Sequence, residues 1–313
     1  MVGIPLLPAV GLGTAPLGGL YKNVSPIDAA AAVAEAVGIG YRYFDTAPLY
    51  GYGAAERALG RGLEGCDAAV AVSTKVGRLV DEGAPRPPGD MFAGDSGAAT
   101  WDFSADGVHR SLDASLQRLG RSYVDIAFIH DPDNHARQAL DEAYPALERL
   151  RDEGVIGAIG VGMNEPGLPT RFVTDTDIDA VLIAGRYTLL DRSAEQALFS
   201  AAMARGVHVI AAGAYNSGIL AAVETNPHFN YEAAPAEVVA RVQRLQAVCN
   251  GFGLPLPAAA VQFVVRHRAV GTVLLGARNG VEAAENWAHA HTSLPEELWA
   301  DLDEIINDAD DVD

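Results

Sequence analysis

Along the chain, short apolar and often β-branched runs alternate with longer segments in which Ala and Leu recur at helical spacing. The short runs predict eight strands, centred on Val10–Gly18, Tyr41–Asp45, Ala69–Lys75, Val124–His130, Val155–Val161, Ala180–Ala184, Val207–Ala212 and Thr272–Leu275. Helices are predicted from Pro26 to Val37, Ala105 to Leu119, Ala136 to Glu153, Ser193 to Arg205, Ala234 to Asn250 and Gly280 to His289. Ser25 precedes Pro26 as an N-cap, with proline in the first turn. Ser104 opens the helix whose leucines at 112, 116 and 119 share one face, and Gly120 stops it.

Repeated strand–helix units of this number and total length predict a single-domain (β/α)8 TIM barrel, class α/β, over residues 1–313. A doubly wound open sheet is the rival. It would normally carry a GxGxxG turn after its first strand, and Gly11, Gly13, Gly18 and Gly19 lack that spacing. Two segments break the rhythm. Arg78 to Trp101 is rich in Gly, Pro and Asp, and reads as a long loop after the third strand that helps form a substrate pocket. Pro227 to Ala234 is a shorter break after the seventh strand.

Composition narrows the partners. A formal charge of −19 opposes binding to nucleic acid or an anionic membrane, because both are polyanions. Hydrophobic residues make up 49 %, enough for a large core. Cys66 and Cys249 form no CxxC motif and no metal-ligand pattern, so no metal is expected and a reducing, cytoplasmic setting is. The apolar start, Met1 to Leu20, has no basic residues and is interrupted by Gly and Pro, unlike a signal peptide. The uncharged stretch Val207 to Val223 contains Tyr215, Asn216, Ser217 and Gly218, and suits a strand with a ligand-facing loop better than a membrane span.

In a barrel, chemistry gathers at the carboxyl ends of the strands. Those ends carry Asp45, Lys75 and His130, with Tyr50 in the loop just beyond Asp45. Singly, each has an ordinary explanation: a helix cap, a surface lysine, a core histidine. Together they make an acid–base device. A phenol is a poor base at neutral pH, a nearby ammonium lowers its pKa, and a carboxylate holds that ammonium in place. On this reading Lys75 makes Tyr50 acidic, Asp45 anchors Lys75, and His130 orients a substrate oxygen.

The stretch Tyr43-Phe44-Asp45-Thr46-Ala47-Pro48-Leu49-Tyr50-Gly51 resembles the signature of the aldo-keto reductase family. Ser73-Thr74-Lys75 and Phe128-Ile129-His130 stand where that family has its lysine and histidine. The closer resemblance is to its bacterial D-threo-aldose 1-dehydrogenase (L-fucose/D-galactose dehydrogenase) branch. It is carried by Gly13-Thr14-Ala15-Pro16-Leu17-Gly18, His130-Asp131-Pro132-Asp133, Gly185-Arg186-Tyr187-Thr188-Leu189-Leu190 and Tyr215-Asn216-Ser217-Gly218. The resemblance implies an NAD(P)-dependent oxidoreductase with Asp45, Tyr50, Lys75 and His130 as catalytic tetrad. It further implies oxidation of an aldose at C1 to the lactone, with Tyr50 as general base. Pyridoxal or another aldehyde is the alternative substrate.

The resemblance also places the cofactor. Thr14 and Asp45 would meet the nicotinamide ribose and Asn164 the carboxamide. Ser217 and Gly218 would lie under the pyrophosphate, in one run with Tyr215 and Asn216, and Glu285 and Asn286 near the adenine. Ala184 and Ala212 depart from the pattern, replacing a glutamine and an aromatic ring. After the eighth strand come Gly276, Ala277 and Arg278, and Glu282 stands where NADP-specific relatives carry an arginine. A carboxylate there repels a 2′-phosphate and accepts bonds from free ribose hydroxyls, which predicts NAD over NADP. Arg278 is the group that would argue for NADP.

Leu49, Trp101 and Tyr187 are the expected pocket wall for a small sugar or aldehyde. Two rivals stand beside this reading: an aldolase using Lys75 as a Schiff base, and a regulatory barrel that binds cofactor without turnover. Nothing in the sequence sets the oligomeric state.

Overall fold

The structure, a computed structural model, describes residues 6–94, 96–225, 228–230 and 232–307. Eight parallel strands close into a barrel: β1 (Val10–Gly13), β2 (Tyr43–Asp45), β3 (Ala71–Val76), β4 (Val124–His130), β5 (Ile156–Met163), β6 (Ala180–Ala184), β7 (His208–Ala212) and β8 (Val270–Gly276). Each pairs with its neighbours in chain order, and β1 closes the ring on β8 through Val10↔Val273 to Gly13↔Gly276. Every residue of β5 is buried, as expected of a strand covered on both faces.

The helices that cover the barrel are α1 (Pro26–Ile39), α2 (Ala54–Gly62), α3 (Ala105–Leu119), α4 (Tyr144–Asp152), α5 (Gly167–Asp175), α6 (Ser200–Arg205), α7 (Ala236–Gly251), α8 (Leu256–Val265), α9 (Gly280–His291) and α10 (Glu296–Asn307). Ser25 caps α1 by accepting from the Asp28 amide, and Ser104 caps α3 by accepting from Gly107. Gly120 ends α3 in the left-handed region. Single π-helical turns, Ala139–Ala143 and Glu195–Phe199, lead into α4 and α6. No single helix among the described residues is long and apolar enough to cross a membrane.

Inside the barrel, Tyr43, Ile126, Phe128, Leu182, Ile210 and Leu274 pack into one cluster. Large side chains sit against small ones: a Cβ on Gly160 would lie 2.4 Å from the Phe128 ring. This apolar plug fills the barrel interior beneath the mouth that carries Asp45, Lys75 and His130.

Three expectations change. The first strand stops at Gly13, because Pro16 starts a 3-10 turn over Ala15–Gly18. Arg78 to Trp101 is not a loop but an antiparallel hairpin of Arg78–Pro85 and Ser96–Trp101, pairing Arg78 with Trp101 and Asp81 with Ala98. Its tip is pinned across the mouth by a Leu20↔Phe92 bridge and by bonds from Tyr21 N to Met91 O and from Ala93 N to Gly19 O, both 2.9 Å. The break after β7 contains the short paired segments His228–Phe229 and Glu232–Ala233, while Pro227 and Tyr231 lie outside the described residues.

Candidate active site

Neighbouring strands deliver the four acid–base groups to one half of the mouth. Asp45 ends β2, Lys75 sits near the end of β3, and His130 ends β4. The tight turn after β2 swings Tyr50 back over them. That turn depends on Gly51, whose φ of 60° is left-handed and whose Cβ would lie 2.3 Å from the Gly18 carbonyl oxygen. The two loops therefore touch backbone to backbone beside Tyr50.

The contacts are direct. Lys75 Nζ donates to Asp45 Oδ2 at 2.7 Å, to the Thr46 carbonyl at 2.8 Å and to the Tyr50 hydroxyl at 3.0 Å. All three ammonium protons are thereby used. Ser73 Oγ donates to the other Asp45 oxygen at 2.7 Å, and Tyr43 OH meets Ser73 Oγ at 2.8 Å. The His130 ring stands edge-on to Tyr50, with centroids 6.0 Å apart.

Charge settles the resting protonation states. Burial works against the Lys75 ammonium, but Asp45 and Tyr50 outweigh it and hold its pKa above the usual lysine range. A lysine kept protonated is no Schiff-base nucleophile, which counts against the aldolase reading. Burial, then Arg78 and Lys75, hold His130 well below its ordinary range, so the imidazole is neutral. Tyr50 corrects the sequence-based expectation. Burial raises its pKa above that of a free phenol, Lys75 pulls it down, and Asp45 pushes it back up. The ammonium is already paired with a carboxylate, so the phenolate would face a nearly neutral pair. In the resting protein Tyr50 is a phenol, poised to donate.

The other half of the mouth is built differently. β6, β7 and β8 end in the small residues Ala184-Gly185, Ala212-Gly213 and Gly276-Ala277. Thr14 Oγ1 and Asn216 Oδ1 are buried there without partners, and Asn216, Ser217 and Gly218 have φ of 43°, 59° and 100°. Buried polar atoms left without partners beside this loop fit a polar ligand in this half of the mouth. Asn164 follows β5 and is half-buried. Asn286 is less available than expected, since it accepts from Tyr215 OH at 2.8 Å and donates to the Gly276 carbonyl at 3.0 Å. Glu285 is exposed one residue earlier. Glu282 holds Arg278, with Nη2 at 2.6 Å from Oε1 and the Arg278 amide 2.8 Å from Oε2. Among the described residues, no group of three or more His, Cys, Asp or Glu is placed to hold a metal ion.

The expected pocket wall divides. Leu49 is half-buried next to Tyr50, and Trp101 is 52 % exposed at the base of the hairpin. Tyr187 does not face the mouth. It is buried among Phe199, Phe263 and His267, and it stacks on Phe263 at 5.1 Å. Three groups went unanticipated. Phe92, at the hairpin tip, lies 6.0 Å from the Tyr50 ring and is almost fully buried. Arg78 Nη2 donates to Asp131 Oδ2 at 2.9 Å, and that same oxygen is 3.4 Å from His130 Nε2. Asp131 lies in the quoted His130-Asp131-Pro132-Asp133 run, which was the available signal. Nothing in the local sequence points to Phe92.

The sequence profile of the aldo/keto reductase family matches residues 9–307. The chain belongs to that family. As an aldo/keto reductase it is an oxidoreductase. It is 41 % identical to a pyridoxal 4-dehydrogenase of Microbacterium luteolum, over 94 % of this chain and 92 % of the relative. It is 37 % identical to a D-threo-aldose 1-dehydrogenase of a Pseudomonas species, over 95 % and 94 %. Among solved structures, an aldo-keto reductase from Bacillus halodurans superposes with a TM-score of 0.76 at 23 % identity, covering 96 % of this chain and 92 % of that one. That likeness shows the (β/α)8 barrel fold.

Proposed function

We propose that this aldo/keto reductase oxidises an aldose of the L-fucose or D-threo type at C1 to the lactone, with NAD as the preferred cofactor. The observation that carries the reading is the single ammonium, Lys75, bonded at once to Tyr50 and to Asp45. That arrangement moves a proton at one point and holds no covalent intermediate. The 37 % identity to an aldose dehydrogenase over nearly the whole chain supports the sugar, and 41 % identity to a pyridoxal dehydrogenase keeps pyridoxal as the second reading.

The residues fit a nicotinamide dinucleotide: Thr14 and Asn164 at the ring end, Ser217 and Gly218 at the phosphates, and Glu285 at the far end. Bound there, the oxidised cofactor would supply the hydride acceptor. Once deprotonated, Tyr50 takes the proton of the anomeric hydroxyl as the carbon–hydrogen bond breaks. Neutral His130 donates to the substrate oxygen and fixes its direction toward Tyr50. Lys75 stabilises the phenolate form, and Phe92 keeps water from the hydroxyl. In the reverse direction Tyr50, a phenol at rest, gives the proton back.

The preference for NAD rests on Glu282, which neutralises Arg278 at the place where a 2′-phosphate would need a free cation. Cys66 and Cys249 are both free thiols, which supports a reducing, cytoplasmic setting. The test is NADH formation from L-fucose, D-arabinose, L-galactose and pyridoxal, each repeated with NADP. Oxidation of at least one aldose with higher kcat/KM than pyridoxal, and with NAD above NADP, is expected. Efficient turnover of pyridoxal alone establishes the second reading instead.

A further inference from the structure

We propose that Arg78 and Asp131 form a hydroxyl-reading subsite that selects carbonyl compounds, and their cyclic forms, bearing a hydroxyl on the carbon next to the reacting one. The inference deepens the proposed sugar chemistry and rests on the same site.

Placement comes first. Asp131 directly follows His130, and its φ of 43° puts it in the left-handed region. A bond from its amide to the Gly162 carbonyl, 3.0 Å, fixes that turn. The result brings Oδ2 back to 3.4 Å from His130 Nε2, next to the position where the reacting oxygen is held. Arg78 arrives from the other side, as the first residue of the hairpin. Its guanidinium lies 4.8 Å from the Trp101 ring centroid and 2.9 Å from Asp131.

The chemistry follows from what these groups leave unused. Arg78 Nε is buried without a hydrogen-bond partner, so one donor of the guanidinium is unsatisfied in the resting site. The Asp131 carboxylate has spare acceptor capacity and its side chain is 28 % exposed. Burial raises the Asp131 pKa against the pull of Arg78, and lowers that of Arg78. Two charges kept at such cost beside a reaction centre need further hydrogen bonds to repay their desolvation. An acceptor and a donor side by side match adjacent hydroxyls of a polyol. The exposed Trp101 offers an apolar edge for the sugar's carbon face. A carbonyl compound without that hydroxyl would cover both groups and satisfy neither, which is the strongest form of discrimination a pocket provides.

The test uses small aldehydes, so that it reports on the pair even if no aldose is oxidised. The kcat/KM ratio for reduction of glyceraldehyde over propanal is measured for the wild type, Asp131→Asn and Arg78→Lys. Asparagine tolerates the left-handed backbone, so Asp131→Asn keeps the turn. The wild type is expected to favour glyceraldehyde, and each variant to cut the ratio about tenfold to a hundredfold, the size of a hydrogen bond to a charged group. A scaffold role alone would lower both rates together and leave the ratio where it was. An unchanged ratio in both variants, or a wild type without preference, overturns the proposal. Absence of aldose oxidation with an intact glyceraldehyde preference would instead count against the proposed function.

Discussion

Lys75 donates to Tyr50 across 3.0 Å, yet the phenol it touches is held above its ordinary pKa. Lys75 orders the hydroxyl and stabilises whatever phenolate forms, but Asp45 cancels most of its charge. On the proposed function the proton-transfer group is Tyr50 itself, and the hydrogen bond to Lys75 sets its direction. Tyr50→Phe should lower kcat by about 10²- to 10⁴-fold, the usual worth of a positioned acid–base group. Binding of NADH, followed by quenching of protein fluorescence, should persist. A variant retaining more than a tenth of wild-type kcat would remove Tyr50 from the mechanism.

The raised Tyr50 pKa gives the two directions opposite pH dependence. Oxidation needs the deprotonated form and should rise with pH well beyond neutrality. Reduction needs the phenol and should fall only as pH passes the Tyr50 pKa. Asp45 is one of the groups that raise it. Asp45→Asn should therefore move the alkaline limb of kcat/KM for oxidation to lower pH, even as the maximum rate drops from looser anchoring of Lys75. A limb that stays in place, or moves upward, would contradict this balance of charges.

His130 ties the site to stability. The fold holds it neutral, with its pKa well below the ordinary value, whereas the unfolded chain protonates near pH 6.5, roughly. Unfolding thus takes up a proton below that pH, and stability present above it is lost as pH falls. His208, His267 and His289 are shifted the same way and add to the slope. His130→Asn should give a shallower decline of Tm between about pH 7 and about pH 5. Parallel wild-type and variant curves would show that His130 titrates alike in both states.

Much of this was legible in the sequence because barrel strands are buried on both faces and so read as unbroken apolar runs. Their ends, Asp45, Lys75 and His130, stand out against such runs. What escaped has physical reasons. α8, Leu256–Val265, is apolar nearly all round, so its period carries no helical contrast. α2 and α5 are nine residues each and begin beside Gly53 and Pro166, in segments that look like turns. Gly and Pro at the hairpin tip masked the strand pairing on either side. Tyr187 was placed by chain position alone, but its ring follows the aromatic cluster of Phe199 and Phe263 rather than the mouth. Phe92 reaches Tyr50 only through hairpin closure, a tertiary event.

Behind Lys75 lies a second buried ion pair. Glu56 on α2 is fully buried; Arg118 Nε on α3 donates to it at 2.6 Å, and Thr74 on β3 donates at 2.6 Å. Glu56→Ala would strand Arg118, only 10 % exposed, and should cost about 3–5 kcal/mol in urea unfolding. Replacing both partners by methionine should restore part of that loss, since the desolvation of both charges disappears. A double variant as unstable as Glu56→Ala would show that the pair contributes attraction rather than mere compensation.

On the proposed preference for NAD, cofactor choice would turn on Glu282. Its pKa is lowered, since bonds from Arg278 overcome the effect of burial, and Lys22 adds to them. The carboxylate is thus ionised at neutral pH and occupies the guanidinium through both Nη2 and Nε. A 2′-phosphate arriving there would meet a negative charge and an arginine already engaged, while a ribose hydroxyl would find an acceptor. Removing the carboxylate reverses both terms: repulsion goes, and Arg278 gains freedom to turn its fork to a phosphate. Glu282→Ala should therefore raise the NADP-to-NAD ratio of kcat/KM by about tenfold or more, through KM rather than kcat. Asn279 caps α9 by accepting from the Glu282 amide, a bond the side chain does not make, so the helix should survive the change. Loss of NAD activity without gain for NADP would mean that Glu282 holds the loop rather than reads the cofactor.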